Sequence, residues 1–116
     1  MDYNIINTEY LYEISTSPIF IKKMISLFRQ NIAQFSSEMP KAVLKKDFIN
    51  LAELAHKAKS SIIIFGMNND SEKMKMLEFD AKNNKNTDTF NERINSFINN
   101  CKEALQELDI LEKKIE

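Results

Sequence analysis

The residues with the clearest chemical potential lie around His56, the only histidine of the chain. An unperturbed imidazole is mostly neutral at pH 7, and its unprotonated nitrogen can attack phosphorus. Lys59 follows three residues later, which on a helix places its ammonium beside the ring, while Lys57 points about 100° away. Ser60, one turn after the histidine, is small enough to leave the ring accessible. A histidine beside a lysine is therefore suited to holding a phosphoryl group.

A helix that begins near Asp47 must position these side chains. Six apolar residues recur at three- and four-residue steps and predict one core-facing stripe. They are Phe48, Leu51, Ala55, Ala58, Ile62 and Phe65. His56 lies roughly 130° from the centre of this stripe and is expected to face solvent. Because apolar residues on an exposed flank are typical of a binding surface, we expect a partner protein to dock on Ile49, Ala52 and Ile63.

Other interpretations of these residues stay open. An exposed histidine on a helix is most often an ordinary polar surface residue. Ile49 and Ile63 can also cover the edge of the core against an adjacent helix. A hydrolase or metal enzyme is disfavoured, because one histidine and one cysteine provide neither a zinc site nor a catalytic triad.

The stretch around the histidine resembles the HxxK(G/S)(S/A)…G signature of histidine-containing phosphotransfer (HPt) domains. The matching residues are His56, Lys59, Ser60, Ser61 and Gly66, preceded by the usual Leu54-Ala55. Residues similar to those of the family also occur over nearly the whole chain. They are Tyr10-Leu11, the segment 18–28, Lys46-Asp47-Phe48, Met74, Leu77 and Glu78. The chain departs from the family at Ser60, where glycine is frequent, and at Asp70, where an apolar residue is usual.

The resemblance implies a phosphocarrier without enzymatic activity of its own. His56 would accept a phosphoryl group, through Nε2, from a phosphoaspartate on a receiver domain and pass it to another receiver aspartate. The implied partners are receiver domains of response regulators or of hybrid histidine kinases. Mg²⁺ would come with the receiver, so that the chain needs no cofactor or metal of its own. The alternative is an interaction module with the same fold in which His56 carries no phosphate.

The resemblance also assigns supporting roles. Lys59 would offset the charge on the phosphoryl oxygens and Ser60 would give them room, with Lys57 as a supporting residue. Glu78 and Lys82 stand where HPt domains send a Gln or Glu and a basic residue toward the histidine. Because these two residues are four positions apart on a predicted helix, an ordinary surface ion pair is an equally good interpretation.

The composition excludes several other classes of function. The chain has 116 residues, 43% hydrophobic and 28% charged, which suits a single globular domain over residues 1–116. A net charge of −1 offers no electrostatic footprint for nucleic acid or an anionic membrane. A single glycine excludes glycine-rich nucleotide loops, so that autophosphorylation from ATP is not expected. One cysteine and the absence of a signal peptide or long apolar run predict a cytoplasmic protein. We expect it to be a monomer, and Met1 favours a free-standing protein.

Periodic apolar residues predict an all-α fold, an antiparallel up-and-down four-helix bundle with a short additional N-terminal helix. Thr8 can cap the short first helix, and Ser17 with Pro18 predicts the start of a long second helix. Pro40 is expected to interrupt or restart this helix. Asp47 is suited to the N-cap of the histidine helix.

The end of the histidine helix is ambiguous by propensity. Residues 61–65 are rich in isoleucine and favour a strand. We nevertheless predict helix up to Gly66, because a lone strand in a helical chain has nothing to pair with. Gly66 then ends the helix in a C-cap conformation, and residues 68–70 offer caps for the helix that follows.

The last helix has the most regular apolar pattern in the chain. The polar segment 83–87 predicts a short loop before it, and Thr89 with Glu92 predicts a capping box at its start. Its apolar stripe includes Cys101, which is therefore expected in the core.

Overall fold

A computed structural model describes residues 3–115, and every regular element in that range is helical, which confirms the all-α prediction there. The five α-helices are α1 (Glu9–Ile14), α2 (Pro18–Leu44), α3 (Phe48–Ser61), α4 (Asn68–Lys82) and α5 (Phe90–Lys114). Two 3₁₀ turns, Ile63–Phe65 and Thr87–Thr89, precede α4 and α5. Within the described range, no helix combines the length and the apolar character that a membrane span requires.

One hydrophobic core joins all five helices. The largest of its fully buried side chains are Phe28, Phe35, Phe65, Phe90 and Phe97. The rings of Phe28 and Phe65 meet edge to face, with 5.1 Å between centroids, and tie α2 to the turn that follows α3. Phe48 and Phe90 meet in the same way at 5.2 Å and join the start of α3 to the start of α5. The histidine helix is therefore fixed at both of its ends by aromatic contacts.

Pro40 does not interrupt α2, contrary to the prediction, because the helix runs through it to Leu44. Proline removes one backbone donor, which leaves the carbonyl of Ser36 without its usual helical partner. Met39 and Ala42, on either side of the proline, are both buried and continue the core stripe. Their packing offsets the lost hydrogen bond, so that α2 continues to the turn that precedes α3.

The histidine helix ends earlier than predicted. Helix is expected up to Gly66, whereas α3 stops at Ser61 and Ile63–Phe65 form a 3₁₀ turn. Three consecutive isoleucines crowd an α-helix, and the tighter turn still buries Ile62 and Phe65. Gly66 adopts the predicted left-handed conformation, with φ of +73°. The change of helix type shifts every side chain after Ser61 out of the α-helical phase of His56.

The predicted N-caps are confirmed in two cases and wrong in the others. Ser17 and Asp47 each accept a hydrogen bond from the amide three residues further on. Thr8 precedes α1 but makes no capping hydrogen bond. Thr89 donates its hydroxyl to the carbonyl of Asn86 instead, and so it does not form the predicted capping box.

The start of α4 also differs from the prediction. Residues 68–70 lie inside α4, whose N-cap is Met67 and has no side-chain cap. Asp70 is buried, and the side-chain amide of Asn100 donates to its carboxylate at 3.0 Å. This bond offsets part of the cost of burying a charged residue. Cys101 is buried as predicted, and burial together with the charge of Asp70 raises the pKa of its thiol.

The N-terminal segment is fastened to the rest of the molecule by hydrogen bonds. The backbone amides of Asn4, Ile5 and Ile6 donate to the buried carboxylate of Glu107 at 2.9–3.1 Å. The amide of Asn7 donates to the carbonyl of Phe65 at 2.8 Å. Gly66 follows Phe65, and a Cβ added to Gly66 would lie only 2.5 Å from the carbonyl oxygen of Asn7. Only glycine fits this close approach at the turn that ends the histidine segment.

Gly66→Ala should therefore lower the free energy of unfolding by about 1–3 kcal/mol, because the methyl group strains the backbone and collides with Asn7. Urea unfolding monitored by circular dichroism measures the loss. Asn86→Gly is the matched control, since it relaxes a residue held at φ of +55°, and it should not destabilise the protein. Equal stability of Gly66→Ala and wild type would contradict the close approach.

Candidate functional site

His56 lies on the outward side of α3, where its side chain is 62% exposed. The same helix buries Leu51, Ala55 and Ala58 in the core. The prediction that the imidazole faces solvent, made from the phase of the apolar stripe, is therefore confirmed. Exposure of this size allows a second macromolecule to reach the ring.

Glu78 of α4 contacts the histidine ring. Its two carboxylate oxygens lie 3.1 and 3.2 Å from Nδ1 of His56. An ionised carboxylate only accepts hydrogen bonds, so that Nδ1 must carry a proton and donate it. In the neutral ring, the free lone pair is then on Nε2. The contact with Glu78 therefore selects the tautomer in which Nε2 is the nucleophilic atom.

Two lysines share the same carboxylate. Nζ of Lys59 lies 3.3 Å from one oxygen of Glu78, and Nζ of Lys82 lies 3.0 Å from the other. Burial alone would raise the pKa of Glu78, but hydrogen bonds from Lys82, His56 and Lys59 outweigh it and lower the pKa to about 2. The carboxylate therefore stays ionised at neutral pH, and it holds two ammonium groups close to the imidazole.

The packing of α4 against α3 brings these groups together. The hydroxyl of Ser71 donates to the backbone carbonyl of Lys59 at 3.0 Å and fastens the first half of α4 to α3. Glu78 follows Ser71 by seven residues, two helical turns, and so it lies on the same side of α4. Lys82 is one further turn along. Sequence reasoning did not single out Ser71, although its seven-residue spacing from Glu78 was a signal that could have found it.

Lys57 and Ser60 do not join this cluster. Lys57 donates to the side-chain oxygen of Gln34 on α2, so that the prediction that it points away from His56 is confirmed. Its role as a supporting residue of the site stays a prediction, since the partner of Lys57 is Gln34 and not a group of the cluster. Ser60 is exposed as predicted, but it lines a hollow on the α2 side of the helix, together with Leu27 and Asn31.

The predicted docking strip is not continuous. Ile49 is 75% exposed and borders the histidine, as predicted. Ala52 is only 2% exposed, because the packing of α4 covers its side of α3. Ile63 is 39% exposed, but it lies in the 3₁₀ turn and lines a separate hollow with Tyr10 of α1. Of the three residues, Ile49 alone is exposed beside His56.

A hollow of about 410 Å³ opens next to the imidazole. Its lining residues are Ile49, Ala52, Glu53, His56, Glu78 and Lys82. Ile49 and Ala52 make one part of the lining apolar, whereas Lys82 and the two carboxylates make the other part charged. Among residues 3–115, no group of three or more His, Cys, Asp or Glu side chains could hold a metal ion. The cluster beside this hollow offers one imidazole nitrogen of His56, the carboxylate of Glu78 and the ammonium groups of Lys59 and Lys82.

No family model, curated protein or solved structure matches this chain. A functional assignment therefore depends on the chemistry of the site itself.

The depressed pKa of Glu78 predicts a pH-dependent contribution to stability. Its carboxyl has a pKa of about 2 in the folded protein against an ordinary value of 4.5, so that its ionisation stabilises the fold above pH 4.5. This contribution is lost as the pH falls from about 4.5 toward 2. Glu78→Gln should be less stable than wild type at pH 7, by roughly 2 kcal/mol, and the difference should shrink in acid.

Urea unfolding at several pH values between 7 and 2.5 measures this difference. Glu53→Gln is the matched control, because it removes an exposed carboxylate from α3, and it should change stability by less than about 0.5 kcal/mol. A gap between Glu78→Gln and wild type that stays constant over this pH range would be evidence against the proposed ionisation.

Proposed function

We propose that this protein is a histidine phosphotransfer protein of a two-component phosphorelay. His56 accepts a phosphoryl group from the phosphoaspartate of a receiver domain and passes it to the aspartate of another receiver. The observation that carries the proposal is the contact between Glu78 and Nδ1 of His56, which in the neutral ring places the free lone pair on Nε2 of an exposed imidazole. The resemblance of this segment to the HPt signature supports the same assignment.

The transfer step follows from this tautomer. The lone pair of Nε2 forms a bond to phosphorus while the bond from phosphorus to the aspartyl oxygen breaks, and the carboxylate leaves with the electron pair. In this neutral tautomer no proton has to leave Nε2, because the ring proton is on Nδ1. The ring becomes cationic on phosphorylation, and Glu78, which accepts the Nδ1 proton, stabilises that charge.

The two lysines stabilise the other side of the reaction. Lys59 and Lys82 contact the same carboxylate as the ring, and they would offset the negative charge of the phosphoryl oxygens that approach His56. The reverse step uses the same groups, since a receiver aspartate attacks the phosphorus and the neutral imidazole leaves. In this proposal the chain holds no metal or cofactor, and Mg²⁺ belongs to the receiver.

The architecture proposed for this function is an antiparallel up-and-down four-helix bundle. It would consist of α2 to α5, with α1 as the additional N-terminal helix, in one domain. Two features support this arrangement. All five helices share one core, and short segments connect α2 to α3, α3 to α4 and α4 to α5. A rigid frame of this kind displays the histidine and lowers the ordering cost of docking to successive partners in the cytoplasm.

His56→Gln should abolish phosphorylation, because no other residue of the chain is a histidine. The measurement is incubation with a labelled phosphorylated receiver domain, followed by treatment with acid, which hydrolyses phosphohistidine. Wild type should gain acid-labile label, whereas the variant should gain none and keep the helical circular dichroism spectrum of wild type. Label that persists on the variant, or that survives acid, would refute the assignment.

Lys59→Ala should slow phosphotransfer about 10-fold, equivalent to about 1.4 kcal/mol, because one charge-assisted contact with the phosphoryl group is lost. Lys57→Ala is the matched control, since it removes a lysine of the same helix that contacts Gln34 instead. Its transfer rate should stay within twofold of wild type. Rapid-quench kinetics with a phosphorylated receiver compare the variants, and a larger effect of Lys57→Ala would contradict the assigned geometry.

A further inference from the structure

The hollow beside His56 is bordered by groups of the proposed reaction. The hollow at Tyr10 and Ile63 and the hollow between Met76 and Phe97 contain no group of the proposed reaction. The hollow beside His56, in contrast, is bordered by the histidine itself. Its volume of about 410 Å³ falls in the range of small ligand pockets, about 300–1,000 Å³.

Any protein that brings a phosphoaspartate in line with His56 must also cover this hollow, because the imidazole is part of its wall. A covered but unfilled hollow deprives its lining of van der Waals contacts. Water is a poor substitute against Ile49 and Ala52, since their side chains offer it no hydrogen bonds. An apolar side chain of the incoming protein therefore restores the most van der Waals contacts when it fills the hollow.

Charge decides how this occupant is oriented. Lys82, which is 62% exposed, is the basic residue of the lining, and the carboxylates of Glu53 and Glu78 lie on the same charged side of the hollow. Lys59, outside the lining, shares Glu78 with Lys82, so that two ammonium groups balance the two carboxylates where a phosphoryl group would approach. Ile49 and Ala52 mark the apolar side, and Ala52 is buried deeply enough to form its floor. A partner that fits this surface presents an apolar side chain next to its phosphoryl group, with the phosphoryl group on the lysine side.

From this arrangement we infer that the hollow lined by Ile49 and Ala52 is a docking pocket for one apolar side chain of the phosphoaspartate-bearing protein. The inference rests on the proposed function and deepens it. The sequence predicted a continuous docking strip, and this pocket takes its place. Ala52 is buried, but as part of the pocket lining it can still contribute to recognition. Docking then depends on the depth of this pocket as well as on the lysines around His56.

The test fills the pocket. Ala52→Leu places a larger side chain on the floor, and it should raise KM for a phosphorylated receiver domain about tenfold with little change in kcat. Ala33→Leu is the matched control, because it makes the same change at an exposed position of α2, and its KM should equal that of wild type. Ile49→Ser removes apolar lining from an exposed position, cannot disturb the core, and should also raise KM.

A second phosphoryl donor separates this inference from the proposed function. Phosphoramidate is a small molecule that can phosphorylate histidine without a docking surface, and labelling of wild type but not of His56→Gln shows that the acceptor is competent. If Ala52→Leu fails to fold, as thermal melting would reveal, Ile49→Ser decides alone. Wild-type KM values for the folded pocket variants would overturn the docking pocket while leaving the phosphoacceptor intact. Absence of labelling by both donors would overturn the proposed function and the pocket with it.

Discussion

The candidate site depends on one interaction, the sharing of the Glu78 carboxylate among three donors. The carboxylate is only 12% exposed, and a charge in such a position is tolerated only where charged or polar groups replace the water it has lost. Nδ1 of His56 and the ammonium groups of Lys59 and Lys82 provide that replacement. The same three contacts fix the tautomer of the histidine and hold two cations beside it. One buried charge therefore organises the orientation, the protonation and the electrostatic surroundings of the nucleophile.

This arrangement is suited to the proposed function, in which His56 gains a phosphoryl group and then passes it on. Before transfer, the carboxylate neutralises one of the two ammonium charges next to the ring. In the proposed transfer, positive charge would develop on the imidazole, next to the carboxylate, while negative oxygens would arrive near the ammonium groups. The compensating charges are already in place, and so the protein does not have to reorganise at the moment of reaction. The hydrogen bond from Ser71 to the backbone of α3 holds Glu78 in position for both directions of the proposed transfer.

Features that depend on local periodicity could be predicted from the sequence, whereas features that depend on how helices pack could not. The exposure of His56, the opposite directions of Lys57 and Lys59, and the left-handed Gly66 all follow from the phase and chemistry of single elements. The continuation of α2 through Pro40 depends instead on buried Met39 and Ala42. Likewise, α4 buries Ala52, and a switch to 3₁₀ geometry turns Ile63 away from the histidine. The contact of Glu78 with His56 was suggested only by family resemblance, since spacing alone equally allowed a surface ion pair with Lys82.

In the proposed function, Glu78 makes Nε2 the atom of His56 that carries phosphate. The most direct measurement is NMR of the phosphorylated protein, with through-bond coupling between phosphorus and the carbon-bound ring protons to identify the bonded nitrogen. We expect phosphorus on Nε2 in wild type, with Nδ1 protonated and hydrogen-bonded to Glu78. Phosphorus on Nδ1, or a histidine that stays unmodified with phosphoramidate and with a phosphorylated receiver alike, would contradict it.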